Sequence, residues 1–463
     1  MPQKAIAHDY TLCHHRHIAK GVVMNDSIKI QEIYISKLYG IYNHRVSLRN
    51  GGITIIHGAN GVGKTAVLKC LKYIFDWDIE ALSNVPFRTI HVGLSNDTNI
   101  SISRQSNGKP TEKSDHLNLS SPLEISFFKS GSSHVETVSP IDPEMLSIAK
   151  LMAETRPWLR EVRHGLWFDE KNGNSVDAWD LAYRYIPNKK NKRRTRSAFF
   201  DKIRRELNVK LIDTYRLAAR GTENSKLTVD QCASNMVAQI EAVSAEYAQM
   251  CQTLDQSFPH RLIAGDHEFL SADSVSERLK KLEAYQNWLS AMGLLATIEG
   301  PSFPSDVKSL SLGKIETMSL FVQDSESKLS VFSTLADRCF VLFDLLKGKF
   351  AHKRLIINKE RGLSVISEMG SDIPLSSLSS GEQHEIVLMY ELLFKTSPNS
   401  LLLIDEPEIS LHVKWQKSFI KDLKRIRDIV GFDALIATHS PFIVGDFHEL
   451  MEGGLKEQVQ HLR

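Results

Sequence analysis

The segment Gly58-Ala-Asn-Gly-Val-Gly63-Lys64-Thr65 has the spacing G-x-x-x-x-G-K-[ST], the spacing of a phosphate-binding loop (P-loop). Its glycines let the backbone wrap around a phosphate, while the backbone amides and the Lys64 ammonium direct positive charge at the phosphate oxygens. The Thr65 hydroxyl is suited to bind Mg²⁺. The residues expected to contact a nucleotide here are Gly58, Asn60, Gly61, Gly63, Lys64 and Thr65.

Acidic residues suited to metal and water chemistry occur near the other end of the chain. Leu401-Leu-Leu-Ile-Asp405-Glu406 is an apolar run that ends in two acids, the pattern of a Walker B strand. We expect Asp405 to orient Mg²⁺ and Glu406 to act as the general base that polarises the attacking water. A second apolar run, Leu435-Ile-Ala-Thr-His439, ends in a histidine and resembles the histidine loop of ABC-type ATPases. The resemblance implies a catalytic role for His439 at the terminal phosphate.

Leu378-Ser-Ser-Gly-Glu-Gln383 supplies a second candidate phosphate cradle, because its serines and glycine open a helical run. The residues assigned to the nucleotide here are Ser379, Ser380, Gly381, Glu382 and Gln383.

Hydrophobic periodicity predicts the elements that position these residues. Residues 53–56 are β-branched and apolar, as expected of a buried strand, and residues 66–75 have helical periodicity. Short strand patterns between 28 and 49 and between 87 and 138 predict an antiparallel β-layer. From residue 141 the pattern becomes mainly helical, with a strand at 209–217 that we expect to return to the core sheet. The longer helical patterns are 226–254, 274–295 and 306–347, and the next strand patterns are 354–358 and 363–368.

Composition indicates a soluble globular protein. The 463 residues are 42% apolar and 24% charged, and the five cysteines are scattered without a C-x-x-C pair. We therefore expect no disulfide framework and no zinc ribbon. Without a signal-peptide pattern or an apolar run long enough to span a membrane, the expected compartment is the cytoplasm, with no membrane association.

Charge is distributed unevenly, although the net charge is only +2. The stretch 184–205 contains ten Lys or Arg residues and one acid, Asp201. This basic stretch is either a solvated linker or a contact for nucleic-acid phosphates or an acidic partner.

Together, five motifs occur in the order found in ABC-type ATPases, which the chain resembles: the P-loop, the signature (378–383), Walker B, the D-loop (407–412) and the histidine loop. The resemblance implies an α/β fold: an ABC-type ATPase head, with a P-loop sheet plus an antiparallel β-layer, and a large helical insertion. The expected divisions are 1–140, 141–347 and 348–463. The resemblance also implies ATP and Mg²⁺ as cofactors and a head-to-head homodimer, in which each signature completes the P-loop site of the other copy.

Two positions of the ABC pattern stay open. The glutamine that should end a strand at the Q-loop is matched only loosely, either by Gln105 or by the pair Tyr215-Arg216. Tyr39 or Tyr42 is suited to stack on an adenine ring, and each is equally suited to a place in the core.

Three classes of ABC ATPase compete. A transporter subunit is disfavoured by the roughly 310 residues between P-loop and signature, and a DNA-repair ATPase of the SMC or RecF kind by the lack of sustained heptads. The third class, the overcoming-lysogenization-defect-like ATPases of phage defence, fits best. Within it, the segments 38–44, 52–61, 378–394 and 405–416 are similar to the AriA family, the ATPase subunits of the PARIS anti-phage system.

That resemblance implies a higher homo-oligomer that holds a Toprim-type nuclease partner (AriB-like) inactive until a phage-encoded anti-restriction protein is sensed. A Septu-like ATPase with an HNH nuclease partner is the alternative. Only 24 residues follow His439, and residues 141–347 contain no H-x-E, D-x-D or HNH-like spacing. We therefore expect no intrinsic nuclease, and we expect the helical insertion to recognise the trigger or the partner.

Overall fold

The structure is a computed structural model, and it describes most of the chain between residues 28 and 452. The described residues are 28–49, 52–104, 123–129, 132–138, 143–163, 166–170, 174–177, 181, 198–212, 228–265, 267–296, 303, 310–350, 352–409 and 411–452.

In chain order the strands are β1 (Ile30–Leu38), β2 (Tyr42–Ser47), β3 (Ile53–His57), β4 (Thr89–Leu94), β5 (Asn99–Arg104), β6 (Leu123–Lys129), β7 (Ser132–Val138), β8 (Leu159–Arg163), β9 (Leu166–Asp169), β10 (Asn174–Asp177), β11 (Asn208–Ile212), β12 (Lys353–Asn358), β13 (Gly362–Ser367), β14 (Asp372–Ile373), β15 (Ser400–Asp405), β16 (Asp433–Thr438) and β17 (Met451–Glu452). The helices are α1 (Lys64–Asp76), α2 (Ile79–Ser83), α3 (Pro143–Glu154), α4 (Ala198–Glu206), α5 (Thr228–Ala264), α6 (Ala272–Ala291), α7 (Leu312–Ser330), α8 (Ser333–Leu346), α9 (Ser380–Phe394), α10 (Val413–Val430) and α11 (Pro441–Val444).

A five-stranded parallel sheet, in the order β11-β15-β16-β3-β17, lies at the centre of the molecule. The three central strands, β15, β16 and β3, are mostly apolar and almost entirely buried, because both faces of the sheet are covered. Alternate side chains of β15 enter two different cores: Leu402 and Ile404 face one, while Leu401 and Leu403 face the other. The sheet thus separates two lobes, and each of its faces belongs to the core of one lobe.

One lobe combines α1 with a six-stranded antiparallel sheet in the order β2-β1-β4-β5-β6-β7. The strands alternate apolar and polar residues, so that Ile33, Ile35 and Ile90 pack towards α1, whose buried face includes Leu71 and Phe75. The antiparallel β-layer predicted from the sequence is confirmed.

The other lobe is helical. Helices α5 to α10 share a single core with the hairpin β12-β13 and one face of the parallel sheet. The apolar stripe of α6, which includes Val275, Leu282 and Leu289, is buried in this core and is therefore not an exposed binding face. The hairpin turn lies close to α5: Gly362 has φ +69°, and a Cβ there would be 2.0 Å from the Ala233 carbonyl oxygen.

The structure differs from the sequence predictions in the middle of the chain. Residues expected to be helical include a small antiparallel sheet, β10-β9-β8, around the buried Trp167. Strands of four or five residues are too short for periodicity to separate them from a helical turn. The pattern at 306–347 becomes two helices because the chain turns at Val331 and Phe332.

The strand predicted at 209–217 is β11, which pairs with β15 as expected of a return to the core sheet. Its predicted continuation beyond residue 212 lies outside the described residues. The divisions at 141 and 347 stay predictions, although the core that α5–α8 share with α9 and α10 shows no separation there. No helix in the described part of the chain is long and apolar enough to cross a membrane.

Candidate active site

Three adjacent parallel strands end at the same edge of the central sheet. β3 leads into residues 58–63, β15 ends at Asp405, and β16, which lies between them, ends at Thr438. Loops at the carboxyl ends of parallel strands are a common location for ligand sites. The sheet topology therefore brings together motifs that are more than 300 residues apart in sequence.

The P-loop backbone requires glycine at two positions. Gly61 has φ +86° and Gly63 has φ +93°, in the region that L side chains rarely adopt. A Cβ on Gly63 would also lie 2.8 Å from Leu38 Cδ2. The ring of His44 supports the same loop, since its Nε2 donates to the Val62 carbonyl at 2.7 Å, and burial lowers the pKa of His44.

Lys64 is held inside this loop. Its Nζ donates to the carbonyl oxygens of Gly58 and Ala59, both at 2.8 Å, and only 5% of the residue is exposed. Burial lowers the pKa of Lys64, more than the nearby carboxylates, led by Glu406, raise it. The ammonium group is thus placed where the loop would surround a phosphate.

Thr65 and Asp405 meet across the sheet edge: the Thr65 Oγ1 donates to Asp405 Oδ1 at 3.0 Å. A hydroxyl and a carboxylate oxygen at this separation are the ligand types that Mg²⁺ takes beside nucleotide phosphates. Among the described residues no group of three or more His, Cys, Asp or Glu could hold a metal ion. A magnesium nucleotide needs no such group, because its phosphates and water complete the coordination.

Glu406 has an unusual backbone conformation. Its φ is +42°, and its backbone N–H donates to the Ala437 carbonyl at 2.8 Å, so the residue is fixed to the neighbouring strand. The carboxylate is partly exposed, and its Oε1 lies 3.9 Å from His439 Nδ1. The two predicted catalytic side chains are therefore neighbours at the open edge of the site.

Glu408 is a residue whose role the sequence did not reveal. Its Oε1 accepts hydrogen bonds from Thr438 Oγ1 at 2.7 Å, His439 N at 2.9 Å and Ser440 N at 3.2 Å, and lies 3.0 Å from His439 Nδ1. Its second oxygen, Oε2, is buried and has no hydrogen-bond partner in the described part of the chain. One buried carboxylate thus fixes both the backbone and the ring of the histidine loop. The only sequence feature that pointed to Glu408 was the presence of another acid two residues after Glu406, and this feature alone does not predict contacts with the histidine loop.

The D-loop segment lines a pocket of about 320 Å³ beside His439. Gln416 holds this segment, with Nε2 donating to the Leu411 carbonyl at 3.0 Å and Oε1 accepting from Ser440 Oγ at 2.9 Å. Ile409 and Phe442 are exposed on the rim, and Ser410 lies outside the described residues.

The signature residues fall into two sets: some have side chains that are bonded within the protein, and others are exposed to solvent. Ser379 is the N-cap of α9, and its backbone N–H and hydroxyl both donate to Glu382 Oε2 at 2.9 Å, in a capping box. Gln383 is buried and donates to the carbonyls of Ser376 and Leu378. The Glu382 and Gln383 side chains therefore have structural contacts, while Ser380 is exposed and Gly381 partly so.

The remaining predicted positions are only partly described. Tyr39 is 49% exposed, directly after Leu38, which lies against the P-loop, and Tyr42 stacks on the His44 ring at 5.6 Å between centroids. Tyr39 is thus the better placed of the two for a base, and adenine stacking stays a prediction. Gln105, Tyr215 and Arg216 lie outside the described residues, as do residues 182–197 of the basic stretch.

Solved structures with similar folds include an Smc head domain bound to the C-terminal domain of ScpA from Pyrococcus furiosus. It is 14% identical and has a TM-score of 0.32, with 90% of this chain and 91% of that chain covered. The recombination mediator RecF is 14% identical with a TM-score of 0.28, over 91% of this chain and 95% of that chain.

A curated relative is the molybdate/tungstate import ATP-binding protein WtpC of Pyrococcus horikoshii, 36% identical over 90 residues. The match covers 19% of this chain and only 25% of that protein's length. A family model described as "AAA domain, putative AbiEii toxin, Type IV TA system" matches residues 53–445, which include every motif of the site. The chain therefore belongs to this family of ABC-type ATPase domains.

Proposed function

We propose that this protein binds and hydrolyses ATP at sites shared between two copies of the chain. The observation that carries the proposal is the contact between Thr65 and Asp405, with Glu406 at the next position. This contact supports the proposal because it brings together the loop 58–65, a hydroxyl and a carboxylate of the types that Mg²⁺ takes, and a candidate base. The outward-facing Ser380 and Gly381 supply the surface that the second copy would use.

Each residue then has a defined task. The loop amides and Lys64 would hold the phosphates, while Thr65 and Asp405 would hold Mg²⁺, which would supply positive charge to the phosphate oxygens. Glu406 accepts the proton of the attacking water. Glu408 keeps His439 beside Glu406, where the imidazole can donate to a phosphate oxygen.

At a finer level, we propose that this ATPase is the sensor and scaffold subunit of a two-component anti-phage system in the cytoplasm. The similarity to AriA in the motif segments supports this, together with a helical lobe large enough to recognise a partner. Its effector would be a separate Toprim-type nuclease, released when a phage protein is sensed, and the assembly would be a homo-oligomer. Contact of the 184–205 stretch with nucleic acid stays open within this proposal.

The ATPase test compares the purified wild-type protein with Lys64→Ala, with Lys69→Ala as the matched control because Lys69 is exposed on the same helix. Wild type and Lys69→Ala should bind and hydrolyse ATP, and Lys64→Ala should bind little ATP while keeping its melting temperature. Equal ATP affinity in all three proteins would contradict the assignment of the P-loop.

The defence test asks which protein accompanies this one. The purified chain should cut neither DNA nor RNA with ATP and Mg²⁺ or Mn²⁺, whereas the complex with its neighbouring gene product should become nucleolytic on trigger addition. An HNH partner would indicate a Septu-like system, and a chain that acts without a nuclease partner would favour the SMC or RecF alternative. Cleavage by the purified chain itself, lost on an insertion mutation, would contradict the two-component proposal.

A further inference from the structure

The signature helix α9 has Glu382 in its first turn and Glu385 in its second. Each contacts a lysine: Lys353, the first residue of β12, or Lys349, which lies between α8 and β12. Lys353 Nζ lies 3.0 Å from both carboxylate oxygens of Glu382. One turn along, Lys349 Nζ contacts Glu385 and lies 2.8 Å from Asp422 Oδ2. Two lysines four residues apart thus contact two acids three residues apart.

The Lys353 contact continues into the signature. Glu382 is the last residue of the capping box. Of its two oxygens that contact Lys353, Oε2 also accepts both hydrogen bonds from Ser379. Burial alone would raise the pKa of Glu382, but hydrogen bonds from Lys353 and Ser379 outweigh it and hold the pKa below its usual value of 4.5. The carboxylate therefore stays ionised and keeps the helix cap formed at neutral pH.

An ionised glutamate at this position conflicts with the proposed ligand. Ser380 and Gly381, which would face a phosphate, lie directly beside Glu382 in the sequence, and a phosphate carries negative charge. With an ammonium group bound to both of its oxygens, Glu382 forms a neutral pair. The cap then keeps its geometry without repelling the nucleotide.

We propose that Lys353 is a positioning residue for the signature: it neutralises Glu382 and holds the capping box, so that Ser380 and Gly381 accept the ATP bound to a second copy. The inference rests on the proposed function. Lys353 does not touch the nucleotide and acts only through Glu382 and Ser379.

The test uses Lys353→Met, Lys353→Arg and the charge swap Lys353→Glu with Glu382→Lys. The matched control is Arg361→Met, which breaks an exposed ion pair with Asp372 on the same hairpin. Three quantities are measured for each protein: affinity for a fluorescent ATP analogue, ATP-dependent dimerisation by analytical ultracentrifugation, and melting temperature. The first reports the P-loop of one copy, and the second reports the signature.

Lys353→Met should bind the analogue normally but dimerise roughly tenfold more weakly, the scale expected when a partly buried charge loses its partner. Lys353→Arg should retain dimerisation, and Arg361→Met should resemble wild type. The charge swap should not restore dimerisation, because a lysine at position 382 cannot accept the hydrogen bonds from Ser379. Normal dimerisation of Lys353→Met would overturn the inference and leave the ATPase proposal intact. Parallel losses of analogue binding and melting temperature would also overturn it, because the pair would then support only the fold. A wild-type protein that binds no ATP would contradict both.

Discussion

The P-loop region and the signature region differ in the contacts that their polar side chains make. At the P-loop the functional groups contact each other: Lys64 donates to the loop carbonyls, and Thr65 donates to Asp405. At the signature the charged groups point inward, to Lys353 and the helix cap, and the surface that remains is Ser380 and Gly381.

This difference suggests what each region can do alone. The P-loop region has the Lys64 ammonium, the candidate Mg²⁺ ligands Thr65 and Asp405, and a candidate base, so one copy contains the candidate groups both for binding and for chemistry. The signature has a helix N-terminus and small residues but no cation among its own residues, and its one carboxylate, Glu382, is paired with Lys353. It can complete a phosphate site but cannot form one, which is the reason to expect that a second copy supplies it.

The largest effect is expected at the chemical step. Glu406→Gln should reduce hydrolysis roughly 10²- to 10⁴-fold, the usual scale for loss of a general base, while ATP binding remains. The measurement is single-turnover hydrolysis beside ATP-dependent dimerisation. If the comparison is right, the ATP-bound dimer persists; hydrolysis at the wild-type rate would show that another group is the base.

A smaller effect is expected when Glu408 loses its charge. Glu408→Gln should reduce hydrolysis roughly 10- to 100-fold, since hydrogen bonds to a charged acceptor contribute about 1.5–3 kcal/mol. ATP affinity should change little because Glu408 contacts the histidine loop rather than the P-loop. Glu449→Gln, at an exposed position, is the control. If both variants hydrolyse ATP equally well, the buried carboxylate has no catalytic consequence.

Mixing tests the division of labour directly. Lys64→Ala and Gly381→Asp chains should each be inactive alone. An equal mixture should recover about a quarter of wild-type activity. Half of randomly paired two-fold dimers are mixed, and each mixed dimer has one intact site and one site with both defects. Absence of recovery, with mixed dimers shown to form, would mean that the signature does not serve the opposite P-loop.

The smallest effect concerns pH and the signature alone. Because the pKa of Glu382 is lowered in the folded protein, its contribution to stability is present above pH 4.5 and is lost as pH falls through the lowered value. Glu382→Gln should lower the free energy of unfolding at pH 7 by about 1 kcal/mol, the scale of a helix cap. The difference from wild type should shrink in urea titrations repeated at decreasing pH, and a constant difference would argue against the ion pair.

The sequence predicted what depends on contiguous residues. The strand before Gly58, the helix after Lys64 and the apolar strand before Asp405 each have a local pattern, and these elements are confirmed. The capping box was also readable, since Ser379 and Glu382 have S-x-x-E spacing. This spacing alone predicts that the Glu382 side chain contacts the helix cap rather than a nucleotide.

Other features depend on residues that are far apart in the chain. Glu408 acquires its role from Thr438 and Ser440, some thirty residues later, through contacts that no local spacing encodes. Lys353 likewise meets Glu382 only because the β12-β13 hairpin packs in the same core as α9. The sequence could not predict that α5–α10 share one core for the same reason. Periodicity identifies the apolar face of a helix but not the surface against which that face packs.

The left-handed backbone at Glu406 has an evolutionary consequence. A non-glycine residue in this region is strained by about 1–3 kcal/mol, and glycine or asparagine would relieve part of that strain. Selection for stability alone would therefore tend to remove the acid, so a lineage that keeps glutamate here must be under selection for its chemistry. Relatives that no longer hydrolyse ATP should therefore have a stabilising residue, such as glycine or asparagine, at the position of Glu406.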